Sequence, residues 1–310
     1  MEIGALILTV AGLCLFETVS SIDNAIINAE VLGTMQPKYR RWFLIYGIIL
    51  AVFVVRGVLP WLIVWAVNPS LGAWGALTAS FSNDPRVHEA IQASAPLLLV
   101  GGGTFLVLLF LHWLFIEPKN YGLFGEPFFE KHGVWFYAFA SIALLIIVWF
   151  CLKRDPMMAL GAVIGSTAFF ITHGFKENAE EAERDLLTSN KSDISKILYL
   201  EVLDATFSID GVLGAFAFTL SVPLILLGNG LGAIVVRQLT VGNIDRIKKY
   251  KYLKNGAMYS IFVLGMVMVL DSFDVHIPHW VSPVVTFVIV GFFFIKSRIA
   301  ISQEEAGSGS

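Results

Sequence analysis

Nine apolar stretches, each about as long as a bilayer crossing, constrain this chain more than any other feature. A helix that crosses a membrane needs roughly 17 to 25 mostly apolar residues. The chain is 56% hydrophobic and only 15% charged, whereas soluble domains are roughly one-quarter charged. We therefore predict an all-α polytopic membrane protein with seven to nine transmembrane helices, nine being favoured. The stretches lie near 3–31, 42–67, 95–116, 134–152, 157–173, 197–219, 221–237, 253–271 and 280–296.

The lysines and arginines predict the orientation of these spans. Of the 21 such residues, seventeen fall in loops on one side of the nine-span arrangement, and Arg86, Lys153 and Arg154 fall on the other. Basic loops usually stay in the cytoplasm. We therefore expect the N-terminus outside and the C-terminus in the cytoplasm. The first stretch lacks a basic leader, so we expect a retained helix rather than a cleaved signal peptide.

One acidic motif occurs twice. The sequence "ETVSSIDNA" at 17–25 recurs as "DATFSIDGV" at 204–212, so Glu17 aligns with Asp204 and Asp23 aligns with Asp210. The copies lie in the first and sixth stretches, which predicts opposite directions through the membrane, as in inverted-topology repeats of two three-helix halves. We predict four divisions of the chain. The first repeat, with spans one to three, covers 1–116, and the second repeat, with spans six to eight, covers 195–275. Between them, 117–194 holds accessory spans four and five and an acidic cytoplasmic segment, and 276–310 holds span nine and the tail.

Buried acids outnumber buried bases in the predicted spans. The acids are Glu17, Asp23, Glu201, Asp204 and Asp210, and the sequence places one base, Arg56, at similar depth. An isolated charge at the bilayer centre costs at least ~2.5 to 3.5 kcal/mol. These carboxylates must therefore be protonated, hydrated or neutralised by a cation, and a cation pathway meets all three conditions. The structural alternative is that the acids cap helices or form hydrogen bonds between them.

The motif also predicts a break in each helix that carries it. Residues six apart, such as Glu17 and Asp23, lie roughly 120° apart around a straight helix. Ser, Asp and Asn side chains compete with the helix for backbone hydrogen bonds. We therefore predict an unwound turn in "SSIDN" and another in "FSIDG", because broken helices are how many transporters expose backbone groups to an ion.

Oxygen-bearing side chains around the two motifs predict a site for a hard divalent cation such as Mn²⁺, Ca²⁺ or Mg²⁺. No prosthetic group, enzymatic activity or nucleic-acid partner is expected. The expected partners are the metal ion, protons and membrane lipid. A homo-oligomer is compatible with the sequence. The expected metal ligands are Glu17, Asp23, Asn24, Asp204 and Asp210, supported by Ser20, Ser21, Ser208 and Arg56, with His112 and Glu117 as a candidate proton or exit path.

The two motifs resemble those of the TerC family of integral membrane proteins. "FETVSSIDNAII" at 16–27 has a Glu, five residues and then Asp-Asn, and "EVLDATFSIDGVLGAFA" at 201–217 runs Glu, two residues, Asp, five residues, Asp. The likeness extends to Arg56, to Asn229 and Arg237 in "GNGLGAIVVR", and to "YKYLKNGAMYSIFVLGMVM". It covers about 10–60 and 195–270, which indicates a divergent branch. Gly211 and Val267 stand where the family usually has a hydroxyl residue and a lysine.

The resemblance implies a protein of the cytoplasmic (inner) membrane of a prokaryote, in the broader LysE-like superfamily, whose members are associated with manganese efflux, metal homeostasis or tellurite resistance. The same resemblance adds Glu201 to the expected metal ligands and Asn229 to the supporting residues. It favours Mn²⁺ and predicts efflux by alternating access, with protons replacing the metal at a midplane carboxylate site. Two alternatives stay open: a LysE-like exporter of a small organic solute, and a non-transporting membrane component of a metal or tellurite stress-resistance complex. An intramembrane aspartyl protease is a weaker alternative, because no Gly-x-Gly-Asp pattern flanks the acids.

Overall fold

α-Helices make up nearly all of the regular structure in this computed structural model, which describes residues 3–47, 56–78, 85–188, 192–242 and 247–307. Within these ranges there is no β-strand. Prolines stand at the start of α3, α6 and α9, where a missing N–H costs no helical hydrogen bond. The helices are α1 (Ile3–Ser20), α2 (Ile22–Gly33), α3 (Pro37–Trp42), α4 (Leu59–Val67), α5 (Gly72–Thr78), α6 (Pro85–Phe115), α7 (Glu126–Lys131), α8 (Phe136–Arg154), α9 (Pro156–Thr188), α10 (Asp193–Ala215), α11 (Val222–Gly242), α12 (Leu253–Ser272) and α13 (Val281–Gly307).

Seven of the described helices are long and apolar enough to cross a membrane, namely α1, α6, α8, α9, α11, α12 and α13. This confirms the predicted all-α polytopic class. α10 is not among the seven, because Glu201, Asp204 and Asp210 interrupt its apolar sequence. The pass predicted over 42–67 is described only in part, as a π-helical turn at Phe43–Gly47 and an apolar helix at Arg56–Val67.

Contacts between loops define two ends of the helix bundle, which we call the basic end and the far end. Loops that the sequence predicts for the same side of the membrane contact each other, so the contacts agree with the predicted order of spans. Which end faces the cytoplasm stays a prediction. The ion pairs are Lys248–Glu30, Lys251–Glu304 and Lys254–Glu117 at the basic end, and Arg154–Asp274 at the far end.

The first span is interrupted, whereas the sixth is not. α1 ends at Ser20 and α2 begins at Ile22, so the break predicted in "SSIDN" is confirmed. α10 runs continuously from Asp193 to Ala215, so the break predicted in "FSIDG" is wrong. Ser208 supplies part of the physical reason, because its Oγ donates to Asp204 O at 2.6 Å, one turn back. A hydroxyl bonded in this way shares the carbonyl with the helix and bends a helix rather than unwinding it.

The fifth predicted span extends well beyond the apolar segment that defines it. α9 continues to Thr188, so the backbone of the acidic segment at 176–185 is helical. The side chains of that segment lie outside the described residues. The predicted divisions of the chain at 116, 194 and 275 stay predictions.

α6 forms the centre of the bundle, since 78% of its membrane-length segment is buried, against 17% for α8 and 22% for α13. The apolar outer faces of α8 and α13 suit contact with lipid. α12 packs along α6 where Gly103 faces Gly265. A Cβ on Gly103 would lie 2.8 Å from Gly265 O, and a Cβ on Gly265 would lie 3.2 Å from Gly103 O. These two glycines therefore let the third and eighth spans, which the repeat pairs, approach backbone to backbone.

A loop and the short helix α7 are fastened to α12 and α13 at the basic end. Glu126, only 1% exposed, accepts hydrogen bonds from Gly122 N at 2.6 Å, from Asn255 Nδ2 at 3.0 Å and from Tyr259 OH at 3.0 Å. Lys296 Nζ donates to Gly122 O. We call this group of contacts the Glu126 latch. Neutral donors satisfy both of its carboxylate oxygens, so the latch is a structural feature.

Candidate functional site

The two motif helices lie side by side and run in opposite directions. Asn24 Nδ2, on α2, donates to Asp204 Oδ1, on α10. Nearer to the basic end, Lys196 Nζ donates to Thr34 Oγ1 at 3.0 Å. Residues later in the sequence on the α2 side thus contact residues earlier in the sequence of α10. The two copies of the motif are therefore antiparallel, which is the arrangement of an inverted repeat.

Glu17 is almost fully enclosed, at 1% exposed, and it is bound by a buried arginine. Arg56 Nε donates to Glu17 Oε1 at 2.9 Å, and Arg56 Nη2 bonds the same oxygen. Ser21 Oγ, at the helix break, also donates to Glu17 Oε1 at 2.9 Å. Another nitrogen of the same guanidinium, Arg56 Nη1, lies 4.0 Å from Asp204 Oδ2. The guanidinium thus lies between the aligned acids of the two motif copies.

A second buried arginine neutralises a second acid. Arg237 is 6% exposed, and its Nη2 donates to Glu201 Oε1 at 3.2 Å while its guanidinium stacks 3.8 Å above the Phe43 ring. Arg237 is one of the seventeen basic residues that the sequence predicts for loops, with Arg56 as the one deep base. That assignment is wrong, because α11 extends to Gly242 and holds Arg237 inside the protein. The repeat was the available signal, since Arg237 follows the second motif as Arg56 follows the first.

The corrected charge balance still leaves the site negative. The described carboxylates of Glu17, Glu201 and Asp204 carry three charges when ionised, and Arg56 and Arg237 carry two. Three negative charges less two positive charges leave one, before Asp23 and Asp210 are considered. A net charge inside a membrane protein is costly, so the site is expected to hold a further cation or proton.

Glu17 also packs directly against the second motif, at Gly211. A Cβ on Gly211 would lie 2.7 Å from Glu17 Oε2, so the glycine leaves room for the carboxylate. In the alignment of the two motif copies, Glu17 corresponds to Asp204 and Asn24 corresponds to Gly211. The Asn24–Asp204 contact therefore pairs the same two motif positions as the Glu17–Gly211 contact, with the two copies exchanged. Each acid thus meets the residue seven positions further on in the other copy. Such reciprocal contacts follow from two-fold symmetry between repeats.

Two of the three predicted supporting serines serve the helix backbone. Ser20 Oγ donates to Glu17 O at 3.3 Å, and Ser208 Oγ donates to Asp204 O at 2.6 Å. Only Ser21 directs its hydroxyl to a site carboxylate. Of the three, Ser21 is therefore the one that orients a proposed ligand.

The other predicted residues lie at or beside the crossing of the motifs. Asn229 on α11 is fully buried, and its Nδ2 donates to Gly211 O in a long hydrogen bond of 3.5 Å. Asp210 is half-buried on α10, one residue before Gly211. Asp23 belongs to the first turn of α2, next to Asn24, but its side chain lies outside the described residues.

His112 and Glu117 form a separate group at the basic end of α6. His112 Nδ1 lies 3.7 Å from Glu117 Oε1, and its ring centroid lies 3.7 Å from that of His173. Glu117 Oε2 also pairs with Lys254 Nζ at 2.9 Å. Within the described residues these contacts include no motif residue. The structure therefore does not bring the candidate proton path into the site.

Among the side chains that are described, five buried oxygen atoms that lack a hydrogen-bond donor belong to residues at or next to the motifs, and Glu130 Oε2 is a further one outside the site. Nearly all buried polar atoms in folded proteins have a partner, so each of these acceptors calls for a donor or a cation. Asn28 on α2, which the sequence analysis missed, belongs to the set, and its position one turn after Asn24 was the available signal. Within the described part of the chain the set includes Glu17 Oε2, Asn24 Oδ1, Asn28 Oδ1, Glu201 Oε2 and Asn229 Oδ1.

The carboxylates whose side chains are described do not converge as metal ligands in this conformation. Among the side chains that the structure describes, no three from His, Cys, Asp or Glu are grouped so that they could hold a metal ion. Arg56 explains this at the centre, because its guanidinium occupies the space between Glu17 and Asp204. The site can hold an internal positive charge here, and it would offer carboxylate and amide oxygens to a cation if the guanidinium withdrew.

Comparison with known proteins gives a family match and relatives named as membrane proteins. A family model described as "Protein of unknown function (DUF475)" matches residues 22–304. The chain is 27% identical over 170 residues to "Uncharacterized membrane protein YceF" of Bacillus subtilis (strain 168), covering 53% of this chain and 61% of that protein. It is 26% identical over 130 residues to "UPF0053 inner membrane protein YgdQ" of Escherichia coli (strain K12), covering 40% of this chain and 52% of that protein. The chain thus spans less than two thirds of the length of these relatives, and no solved structure matches it.

Proposed function

The chain belongs to the DUF475 family of membrane proteins, and from that premise we propose that it transports a divalent metal cation, with Mn²⁺ as the favoured cargo. The observation that carries the proposal is the set of buried oxygens without donors where the two antiparallel motif helices cross. Glu17 Oε2, Asn24 Oδ1 and Asn229 Oδ1 belong to it. Carboxylate and amide oxygens are the ligands that hard cations prefer. A bound cation would satisfy these atoms and balance the excess negative charge.

Arg56 takes the place of the cation in the conformation described here. Its guanidinium donates to Glu17 and approaches Asp204, the two aligned acids of the motif copies. A metal ion would compete with the guanidinium for these carboxylates, so metal binding requires Arg56 to withdraw. When no metal is bound, the Arg56 guanidinium offsets the repulsion between the Glu17 and Asp204 carboxylates. It also weakens metal binding enough to permit release, which a transport pathway needs.

Efflux and proton exchange are proposed from the resemblance of the motifs to those of TerC proteins. In the proposed cycle, the carboxylates take up the ion from the cytoplasm, and protons replace it when the site faces outward. The antiparallel motif helices and the Gly103–Gly265 contact provide two halves for alternating access around the site. We place the basic end in the cytoplasm because basic loops are retained there. We place the chain in the inner membrane, in line with the name of one relative.

A metal survey on the purified protein tests the proposal. The midpoint of thermal unfolding is measured with Mn²⁺, Ca²⁺ and Mg²⁺, and calorimetry gives the affinity of each. We expect Mn²⁺ to stabilise the unmodified chain and to lose this effect in Glu17→Gln and Asp204→Asn, as well as in Asp23→Ala and Asp210→Ala. Glu126→Gln is the matched control, because Glu126 is as buried as Glu17 but lies in the latch. Equal stabilisation of all variants would remove the proposed ligands.

The same assay separates the alternative functions. A small organic solute, such as an amino acid, that stabilises the chain without metal would indicate a LysE-like exporter. A non-transporting membrane component of a stress-resistance complex should tolerate Asp23→Asn combined with Asp210→Asn in a cellular resistance assay. A metal transporter should lose its activity in that double variant, because both halves of the site would lack a carboxylate.

A further inference from the structure

Asn28 and Glu201 lie at the same level of the bundle, one helical turn nearer the basic end than Asn24 and Asp204. The register of α2 against α10 follows from two contacts, Asn24–Asp204 and, further on, Gln36 N with Asp193 Oδ2 at 3.1 Å. In an antiparallel pair each step forward in one helix is a step back in the other. Four residues forward from Asn24 is Asn28, and three residues back from Asp204 is Glu201.

Helical spacing puts both positions on the faces along which the two helices meet. Asn28 follows Asn24 by four residues and Glu201 precedes Asp204 by three, so each shares a helical face with a residue of the Asn24–Asp204 hydrogen bond. Asn28 is 4% exposed and Glu201 is 7% exposed. Asn28 Oδ1 and Glu201 Oε2 nevertheless have no hydrogen-bond partner among the described residues. Two unpartnered acceptor oxygens thus lie on facing helices at one level.

The electrostatics of this level differ from those of the central site. Arg237 Nη2 binds Glu201 Oε1 at 3.2 Å, which leaves the pair neutral overall and keeps Glu201 Oε2 as an open acceptor. The central site carries net negative charge and therefore attracts a cation more strongly. A cation at the Asn28–Glu201 level would gain two oxygen ligands with little net Coulomb attraction. Such a position binds weakly and exchanges quickly, as required of an intermediate stop on a conduction path.

We propose that Asn28 and Glu201 form a second, transient cation-binding station on the route between the basic end and the central carboxylates. This inference rests on the proposed function and adds to it the position at which a divalent cation enters from the basic end. Asn28 supplies a neutral amide oxygen and Glu201 supplies one carboxylate oxygen. Water completes the coordination of the ion, as is usual for weakly held hard cations.

Transport of Mn²⁺ from each face tests the station. Everted and right-side-out membrane vesicles are loaded with a Mn²⁺ reporter, and the half-saturating Mn²⁺ concentration is measured from both sides. Asn28→Leu removes the acceptor oxygen while keeping similar volume. We expect it to raise the half-saturating concentration about tenfold at the basic-end face, with no change at the far face. Asn28→Asp adds a negative charge at the same place and should lower the value at the basic-end face.

The control is Thr34→Val, which removes the Thr34–Lys196 hydrogen bond from the same helix pair and should leave both values unchanged. If Asn28→Leu does not fold, Asn28→Asp decides the outcome. Unchanged or equally shifted values at both faces would overturn the station alone, provided that the unmodified chain transports Mn²⁺ and Asp204→Asn does not. An unmodified chain that neither binds nor transports a divalent cation would overturn the proposed function, and the station with it.

Discussion

Glu17 lies against Gly211 across the two motif helices, so closely that a Cβ on Gly211 would come within 2.7 Å of Glu17 Oε2. The other oxygen of the same carboxylate, Oε1, is bound by Arg56 and Ser21. Glu17 therefore has one oxygen committed to the protein and one oxygen open at the junction of the two halves. A side chain at position 211 would displace this acid.

Gly211→Ala is predicted to weaken cation binding without unfolding the chain. The added Cβ must push the Glu17 carboxylate away from the junction, and we expect about a tenfold loss of Mn²⁺ affinity in calorimetry. Gly291→Ala is the matched control, because no atom lies within 4 Å of a Cβ at that position in α13. The control should keep full affinity and gain up to ~1 kcal/mol of stability, as Gly to Ala changes do in helices. Unaltered affinity in Gly211→Ala would contradict this role of the Glu17 contact.

Arg237→Met is predicted to destabilise the protein strongly. It leaves Glu201 buried without its guanidinium, and breaking a buried ion pair from one side costs about 3–5 kcal/mol. The free energy of unfolding in mixed micelles measures the effect. Arg154→Met is the control, since Arg154 and Asp274 form a partly exposed pair that is worth only about 0–1 kcal/mol.

The double variant Arg237→Met with Glu201→Gln identifies the cause of that destabilisation. It should recover much of the lost stability, because the uncompensated charge is removed together with its partner. If the double variant is as unstable as the single one, the loss comes from packing of Arg237 over Phe43 rather than from the ion pair.

Arg56→Gln is predicted to make the stability of the protein depend on metal. Removal of the internal cation leaves Glu17 and Asp204 to repel each other, so the metal-free variant should melt well below the unmodified chain. Added Mn²⁺ should raise its melting temperature more than that of the unmodified chain, because no guanidinium competes for the carboxylates. Arg56→Lys retains the charge and serves as the control. A smaller Mn²⁺ effect in Arg56→Gln would argue against competition between arginine and metal.

Glu126→Gln is predicted to loosen the basic end while leaving the cation site intact. The amide keeps one acceptor oxygen and turns the other position into a donor that faces Asn255 or Gly122 N–H. An unsatisfied buried polar group costs about 1–3 kcal/mol, and thermal unfolding should register this loss. Glu304→Gln, at the exposed pair with Lys251, should be nearly neutral. The increment in melting temperature produced by Mn²⁺ should be the same as in the unmodified chain.

The features that the sequence predicted correctly are those set by local composition. Long apolar stretches identified the membrane class, because burial of such segments in lipid depends on their own hydropathy. The break at Ser21 was predicted from side chains that compete for nearby backbone groups, and it is present, although the Ser21 hydroxyl bonds the Glu17 carboxylate rather than the backbone. The same argument failed for the second copy, because Ser208 bonds back along its own helix and α10 continues. Identical residue types thus gave different outcomes in different surroundings.

By itself, the sequence determined that this chain crosses a membrane with acids inside it and that one acidic motif occurs twice. Only the tertiary structure decided which groups meet: Arg56 lies between Glu17 and Asp204, and Arg237 pairs with Glu201. The Asn24–Asp204 hydrogen bond joins residues 180 positions apart. Such contacts depend on where helices cross and in which register, and the energy of a buried polar group depends on the partner that it finds there.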